Sequence, residues 1–463
     1  MESSKNSTLR VLEVCQVTPS PDSPESAAEL SLPLTFFDTF WIKFHPVERI
    51  FFYQLTGLTS AHFISVILPK LKTSLSLALL HYLPVAGNLV WPSDAAKPFI
   101  LYTPQNDSVS ITVAESDADF NHLSGNEIRE TVQSHPFIPE LPVDDSTASI
   151  IAFQVTIFPG QGFCIGVSSH HAILDGKSVT MFLKAWAQLC KSAPISLPPE
   201  LTPFFDRTIV QDPEGIDMVY LNEWLNMAPG GYSKSLKQFP NFGPSPESDR
   251  VRGTFELSRE DIKKLRQKIL SDYQLETSSM HLSAFVLSFA YTALAIFKAK
   301  GFQGNKKVLF GINADCRNRL DPPLPANYFG NCVSTYIVET EGENIIRENG
   351  LLFAVEKLSE GIKRLEKGAL DGAKEKISYF KSFEPGSVEG VGVAGSPKFG
   401  VYSMDFGWGK PKKVEVTSID RTIGTISMAE SRDGSGGVEV GVVLTKHDME
   451  NFNSLFVNGL KDL

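Results

Sequence analysis

His171 and Asp175, four residues apart, are the residues of this chain whose types and spacing first suggest chemistry. They lie in Ser168-Ser169-His170-His171-Ala172-Ile173-Leu174-Asp175-Gly176-Lys177-Ser178, after an apolar run and before an amphipathic one. Imidazole has an ordinary pKa near neutrality, so a positioned histidine can take a proton at cellular pH. The glycine after Asp175 lets the backbone turn. On a helix, H-x-x-x-D shares one face and could hold a metal, but no third ligand lies nearby in sequence. Ser-His-Asp hydrolysis needs a nucleophile elbow, and G-x-S-x-G does not occur. The bland alternative is a hydrogen-bonded histidine at a strand end.

Two other stretches stand out. Asp405-Phe406-Gly407-Trp408-Gly409-Lys410-Pro411 reads as a tight loop, either presenting an indole N–H or placing an aromatic in a core. Gly390-Val391-Gly392-Val393-Ala394-Gly395 matches G-x-G-x-x-G, yet Pro385 and Gly386 precede it and Ser396-Pro397 follow. A dinucleotide fingerprint needs a strand before and a helix after, so this reads as a flexible loop.

The elements around these residues follow from periodicity. Ile150 to Phe158, Pro159-Gly160-Gln161-Gly162 and Phe163 to Ser169 read as a hairpin that delivers the two histidines to a strand end. Alternation would then send them to opposite sides. Val179, Phe182, Leu183, Trp186 and Leu189 mark a helix face after Ser178, a candidate N-cap. A second helix over 63–80 carries Pro69 as a kink or boundary. Met280 to Phe297 is at the length threshold for a membrane span, but its polar residues favour a buried core helix. The tail reads as strands at 399–404, 414–419, 425–430 and 438–444, then a final helix.

A chain of 463 residues exceeds one core and implies two or three units. Net charge is −10 and no basic run alternates with aromatics, which argues against nucleic acid as partner. The five cysteines are odd in number and widely spaced, so reduced thiols are expected. Met1 to Asn6 is polar with no apolar signal region after it, which points to a cytoplasmic protein.

His171-Ala172-Ile173-Leu174-Asp175-Gly176 followed by Asp405-Phe406-Gly407-Trp408-Gly409, in that order, resembles the BAHD family of plant acyl-CoA-dependent acyltransferases. Tyr328-Phe329-Gly330-Asn331-Cys332 is similar to an element of the clade that acylates anthocyanins and related phenolic glycosides. Leu32 to Asp38, Pro46 to Arg49, His81 to Gly87 and Arg317 also fit, so the resemblance covers essentially the whole chain. Ala293 departs from the clade, which often has tryptophan there.

The resemblance implies an α/β fold of two chloramphenicol acetyltransferase-like domains with a solvent channel between them. Residues 1–195, with about 406–430, would form the N-terminal domain, 196–215 the crossover, and the rest of 216–463 the C-terminal domain. It implies His171 as general base and Trp408 as oxyanion donor, with Asp175 turned away from the substrate and paired with Arg317, and with Asp405 and Gly407 structural as well. Ser283 and Lys398 would contact coenzyme A, and His170 would be structural. Lys177 would pair with a carboxylate on the acyl group, which favours malonyl over hydroxycinnamoyl. The implied protein is a monomer with acyl-CoA as co-substrate, a glycosylated phenolic acceptor, and no metal or resident cofactor. A non-catalytic ligand binder of the same fold, or a hydrolase using water as acceptor, are the other readings.

Overall fold

The structure is a computed structural model that describes residues 8–21, 24–192, 196–227, 234–238, 249–272, 280–368, 370–384, 386–421 and 424–463. Two mixed sheets form its frame, and each is built around a hairpin. In the first, Ile151–Phe158 pairs antiparallel with Gly162–Ser169, as the alternating apolar runs predict. Val109–Ser116 lies parallel to the outer side of that hairpin, and Val47–Gln54 antiparallel to its inner side. In the second sheet the hairpin is Thr425–Glu430 with Val438–Thr445. Val388–Gly395 is its parallel neighbour and Arg250–Leu257 its antiparallel one. The G-x-G-x-x-G stretch is therefore a strand and not a flexible loop. Its glycines let neighbouring backbones approach closely: Gly311 Cβ, if present, would sit 3.3 Å from Gly392 Cα.

The two sheets exchange their last strands. Lys413–Val416, late in the chain, completes the first sheet by pairing with Val47–Gln54. Arg129–Glu130, early in the chain, completes the second by pairing with Arg250–Leu257. The stretch 406–430 thus spans both sheets, because Thr425–Glu430 stays in the second. The guest strands meet across the seam, where Arg129 Nη2 lies 2.5 Å from Glu415 Oε2, both side chains buried.

Helices cover the sheets. Gly176–Ser192 follows the first hairpin and Lys446–Lys461 the second. Ser60–His62, a π-turn at Phe63–Ile67 and Leu68–His81 run on as one helical rod, long and apolar enough by composition to cross a membrane. Its Leu71, Leu75 and Leu79 are buried, and Leu71 O accepts the Trp186 indole N–H at 3.2 Å, so it packs on Gly176–Ser192. Pro69 sits directly after the π-turn, where its missing N–H fits a locally altered ladder. Ala284–Ala299 is buried along most of its length, as expected of a core helix. A small antiparallel sheet joins Leu30–Pro33, Phe99–Tyr102, Asn88–Val90 and Thr147–Ser149.

Two expectations for the tail fail. Residues 399–404 contain a 3-10 turn at Val401–Ser403 and no strand. The strand expected over 414–419 ends at Val416 and becomes the 3-10 turn Thr417–Arg421. Both changes occur where the chain passes from one sheet to the other, which short-range alternation does not encode. All five cysteines are free thiols.

Candidate active site at the junction of the two sheets

The first hairpin ends at Ser169, and His170 continues it by one bond, donating its N–H to Ile150 O at 2.8 Å. The chain then turns, with Ile173 N donating back to His170 O at 3.1 Å, before the helix opens at Gly176. The histidines leave the strand at this turn. His170 is buried and its Nδ1 accepts the Ala172 N–H at 3.2 Å. His171 is half-buried, and its backbone carbonyl accepts the Asn331 side-chain N–H at 2.7 Å.

The His171 ring stacks on the Trp41 indole, centroids 3.9 Å apart and planes 3° from parallel. Its Nδ1 is enclosed with no hydrogen-bond partner. The nitrogen left to meet a hydroxyl is therefore Nε2. Desolvation, with a smaller push from Arg49, moves the imidazole down to about 4, against an upward pull from Asp175. A ring in this state is neutral at pH 7 and ready to accept a proton.

Asp175 does not serve the histidine. Its Oδ2 lies 2.9 Å from Arg317 Nη1 and accepts the Cys332 N–H at 3.1 Å. Its Oδ1 accepts the Ser178 N–H at 2.8 Å, which makes Asp175 the cap of the helix. Ser178 is inside the helix and not its N-cap: the carboxylate three residues earlier already takes that amide. The Ser178 hydroxyl instead donates to Gly330 O at 2.9 Å. Gly176 has no positive φ. It is required for space, since a Cβ would come within 2.8 Å of the Phe399 ring and 3.1 Å of the Arg49 guanidinium.

Arg317 is buried and fully used. Nη1 also reaches Asp315 Oδ1 at 2.9 Å, Nε donates to Tyr328 O at 3.0 Å, and Nη2 to Gly330 O at 2.8 Å. The 328–332 element thus wraps the corner that carries His171. Asp38 extends the cluster from the first half, paired with Arg207 and accepting the Asn331 side-chain N–H at 3.2 Å. Lys177 lies 3.2 Å from Asp315 Oδ2, both half-exposed.

Trp408 is elsewhere. Asp405 Oδ1 accepts the Gly407 and Gly409 amides at 2.8 and 3.0 Å, closing the loop, and Oδ2 pairs with Lys191 at 2.7 Å. Gly407 and Gly409 have φ of 106° and 98°, which their lack of a side chain permits. Phe406 is the buried anchor, edge-on to Trp186 and Tyr53. Trp408 packs edge-on to Phe163, with Lys70 over its ring at 5.1 Å. Lys191 is fifteen residues along the helix that opens beside His171, about 22 Å at helical rise. Phe163 is six residues before Ser169, roughly 20 Å along a strand. Both measures put the Trp408 loop at the ends of this strand and helix away from His171, a placement that does not fit the expected role of oxyanion donor.

Ser283 caps Ala284–Ala299, its hydroxyl accepting the Val286 N–H at 3.3 Å. Lys398 is exposed on the loop after the strand 388–395. Among the described residues no group of three His, Cys, Asp or Glu side chains is placed to hold a metal. Sequence reasoning missed Trp41, Asn331 and Asp315. Asn331 stood inside the recognised 328–332 element without a role, Asp315 lies two residues before Arg317, and nothing in the spacing of Trp41 signals that it meets a histidine 130 residues later.

The chain matches the Transferase family over residues 10–458. It is 46% identical over 471 residues to phenolic glucoside malonyltransferase 1 of Arabidopsis thaliana, covering 98% of each chain. It is also 46% identical over 466 residues to malonyl-CoA:anthocyanidin 5-O-glucoside-6''-O-malonyltransferase of the same plant, covering 98% of this chain and 99% of that one. The structure of vinorine synthase superposes with a TM-score of 0.71, covering 97% of this chain and 98% of that one, at 19% identity, and shares the fold.

Proposed function

The chain belongs to this transferase family, the BAHD acyltransferases, and from that premise we propose that it moves a malonyl group from malonyl-CoA to a sugar hydroxyl of a flavonoid or other phenolic glucoside. The observation that carries the reaction type is His171, neutral, half-buried and held by the Trp41 stack with one ring nitrogen unengaged. The two malonyltransferase relatives support the donor and the acceptor class.

In this reading both substrates are bound together. His171 Nε2 takes the proton of the acceptor hydroxyl as its oxygen attacks the thioester carbonyl, worth roughly 10²–10⁴-fold in rate. The tetrahedral intermediate collapses by breaking the C–S bond, and the His171 imidazolium returns the proton to the departing thiolate. Lys177 meets the free carboxylate of the acyl group. Lys398 is the better of the two expected coenzyme A contacts, since the Ser283 hydroxyl is committed to its helix. The reading takes residues 1–195 and 216–463 as two acyltransferase domains in a cytoplasmic monomer, with acyl-CoA as substrate and no resident cofactor. The two equivalent hairpin-centred sheets support the division.

The test is free-thiol release from malonyl-CoA with a flavonoid glucoside, in competition with p-coumaroyl-CoA. Acceptor-dependent release with malonyl-CoA preferred is expected. Release without acceptor would make the protein a hydrolase, and release from neither donor would leave a binding protein.

A further inference from the structure

The cation that this reading assigns to the acyl carboxylate already has a partner. Lys177, in the first turn of Gly176–Ser192, lies 3.2 Å from Asp315 Oδ2 at the end of Lys307–Asp315, so the pair bridges the two halves beside the His171 turn. The two oxygens of Asp315 differ. Oδ1 is fixed by the Arg317 backbone N–H at 3.1 Å and by Arg317 Nη1 at 2.9 Å, and Arg317 is itself locked to Asp175. Among the described residues Oδ2 meets only Lys177, and there both side chains are more than a third exposed. Burial would raise the Asp315 carboxyl, but Arg317 first and Lys177 second hold it below the usual range.

We propose that Asp315 limits the preference for carboxylated over neutral acyl donors, by holding Lys177 until an acyl carboxylate takes its place. The inference rests on the reading of Lys177 given above. Asp175, Arg317, Asp315 and Lys177 sum to zero charge, so an incoming carboxylate meets a neutral cluster and not a bare cation. A malonyl group must exchange one carboxylate for another on the Lys177 ammonium, a trade between half-exposed pairs of small net worth. An acetyl group leaves the pair intact. Asp315 thereby keeps the preference for a carboxylated donor modest, and it keeps Lys177 directed toward the seam when no donor is bound.

Binding of malonyl-CoA and acetyl-CoA, which differ by one carboxylate, tests this by titration calorimetry on the full chain. Asp315→Asn keeps an oxygen for Arg317 and removes the charge. It is expected to tighten malonyl-CoA about threefold, the scale of a half-exposed pair, and to leave acetyl-CoA unchanged. In a Lys177→Ala background the same substitution should change neither. Equal effects on both ligands, or a malonyl-CoA gain that persists without Lys177, would overturn the proposal. Asp315→Ala provides the same comparison if the Asn variant does not fold. Because binding is read without turnover, a protein that bound as described and transferred nothing would defeat the proposed reaction and leave the role of Asp315 standing.

Discussion

The Asp175 carboxylate faces Arg317 at 2.9 Å and not the histidine four residues before it. Three donors from two halves of the chain use its two oxygens: Arg317 Nη1, the Cys332 N–H and the Ser178 N–H. It fixes the turn that holds His171 by tying it to the 328–332 element. Asp175→Asn leaves Asp315 as the one carboxylate on Arg317 among the described residues, and a loss of about 3–5 kcal/mol in stability is expected from half-breaking a buried pair. Thermal unfolding measures this. The fraction that remains folded should keep turnover within about tenfold, whereas removing a triad aspartate costs about 10⁴.

His171 should give the reaction an unusual pH profile. Its pKa is pushed down to about 4, first by desolvation. A base must be neutral to work, so activity is present above the folded-state pKa and lost as pH falls through it. The acidic limb of kcat/KM is expected near 4 and not near the ordinary value of about 6.5. Initial rates from pH 3.5 to 8 check this. His171→Ala should reduce kcat by at least about 10² at every pH while leaving the melting temperature within a few degrees.

Trp408 offers a clean discrimination. Removing one oxyanion donor costs about 10²–10³ in kcat. At the far end of both the strand and the helix that lead to His171, Trp408 can contribute only packing on Phe163 and its contact with Lys70. Trp408→Phe is expected to keep kcat within about threefold and to lose about 1 kcal/mol of stability, the scale of a cation–π contact. Steady-state kinetics beside a thermal melt separates the two effects.

The seam between the sheets should be acid-sensitive. Burial would raise the Glu415 carboxyl, but Arg129 and Arg252, with Lys413, outweigh it and bring the group down to about 2. The folded pKa lies below the unfolded one, so the stabilisation is fully present above about 4.5 and lost as pH falls toward 2. Glu415→Gln leaves two buried arginines facing a neutral side chain. Its melting point should fall well below that of the parent at pH 7, and the gap should narrow below about pH 4.5 and close only as pH approaches 2.

Local chemistry made part of this protein legible. The hairpin ending at Ser169 follows from alternation, the helix after Gly176 from its apolar face, and the core helix from its unbroken apolarity. Motif order resembled a family, and with it offered a candidate base, because a histidine's protonation chemistry belongs to the residue itself. Alternation and periodicity could not supply facts that depend on residues far apart along the chain, and only the family resemblance touched on them. The exchange of Arg129–Glu130 and Lys413–Val416 between sheets pairs strands from distant segments. The stacking of Trp41 on His171 joins residues 130 apart. The resemblance implied that Asp175 pairs with Arg317, which the fold brings to 2.9 Å, but the Cys332 and Ser178 amides that share the carboxylate were not legible. Nor was the placement of the Trp408 loop: its motif is local, but its distance from the histidine is set by the lengths of one strand and one helix running away from it.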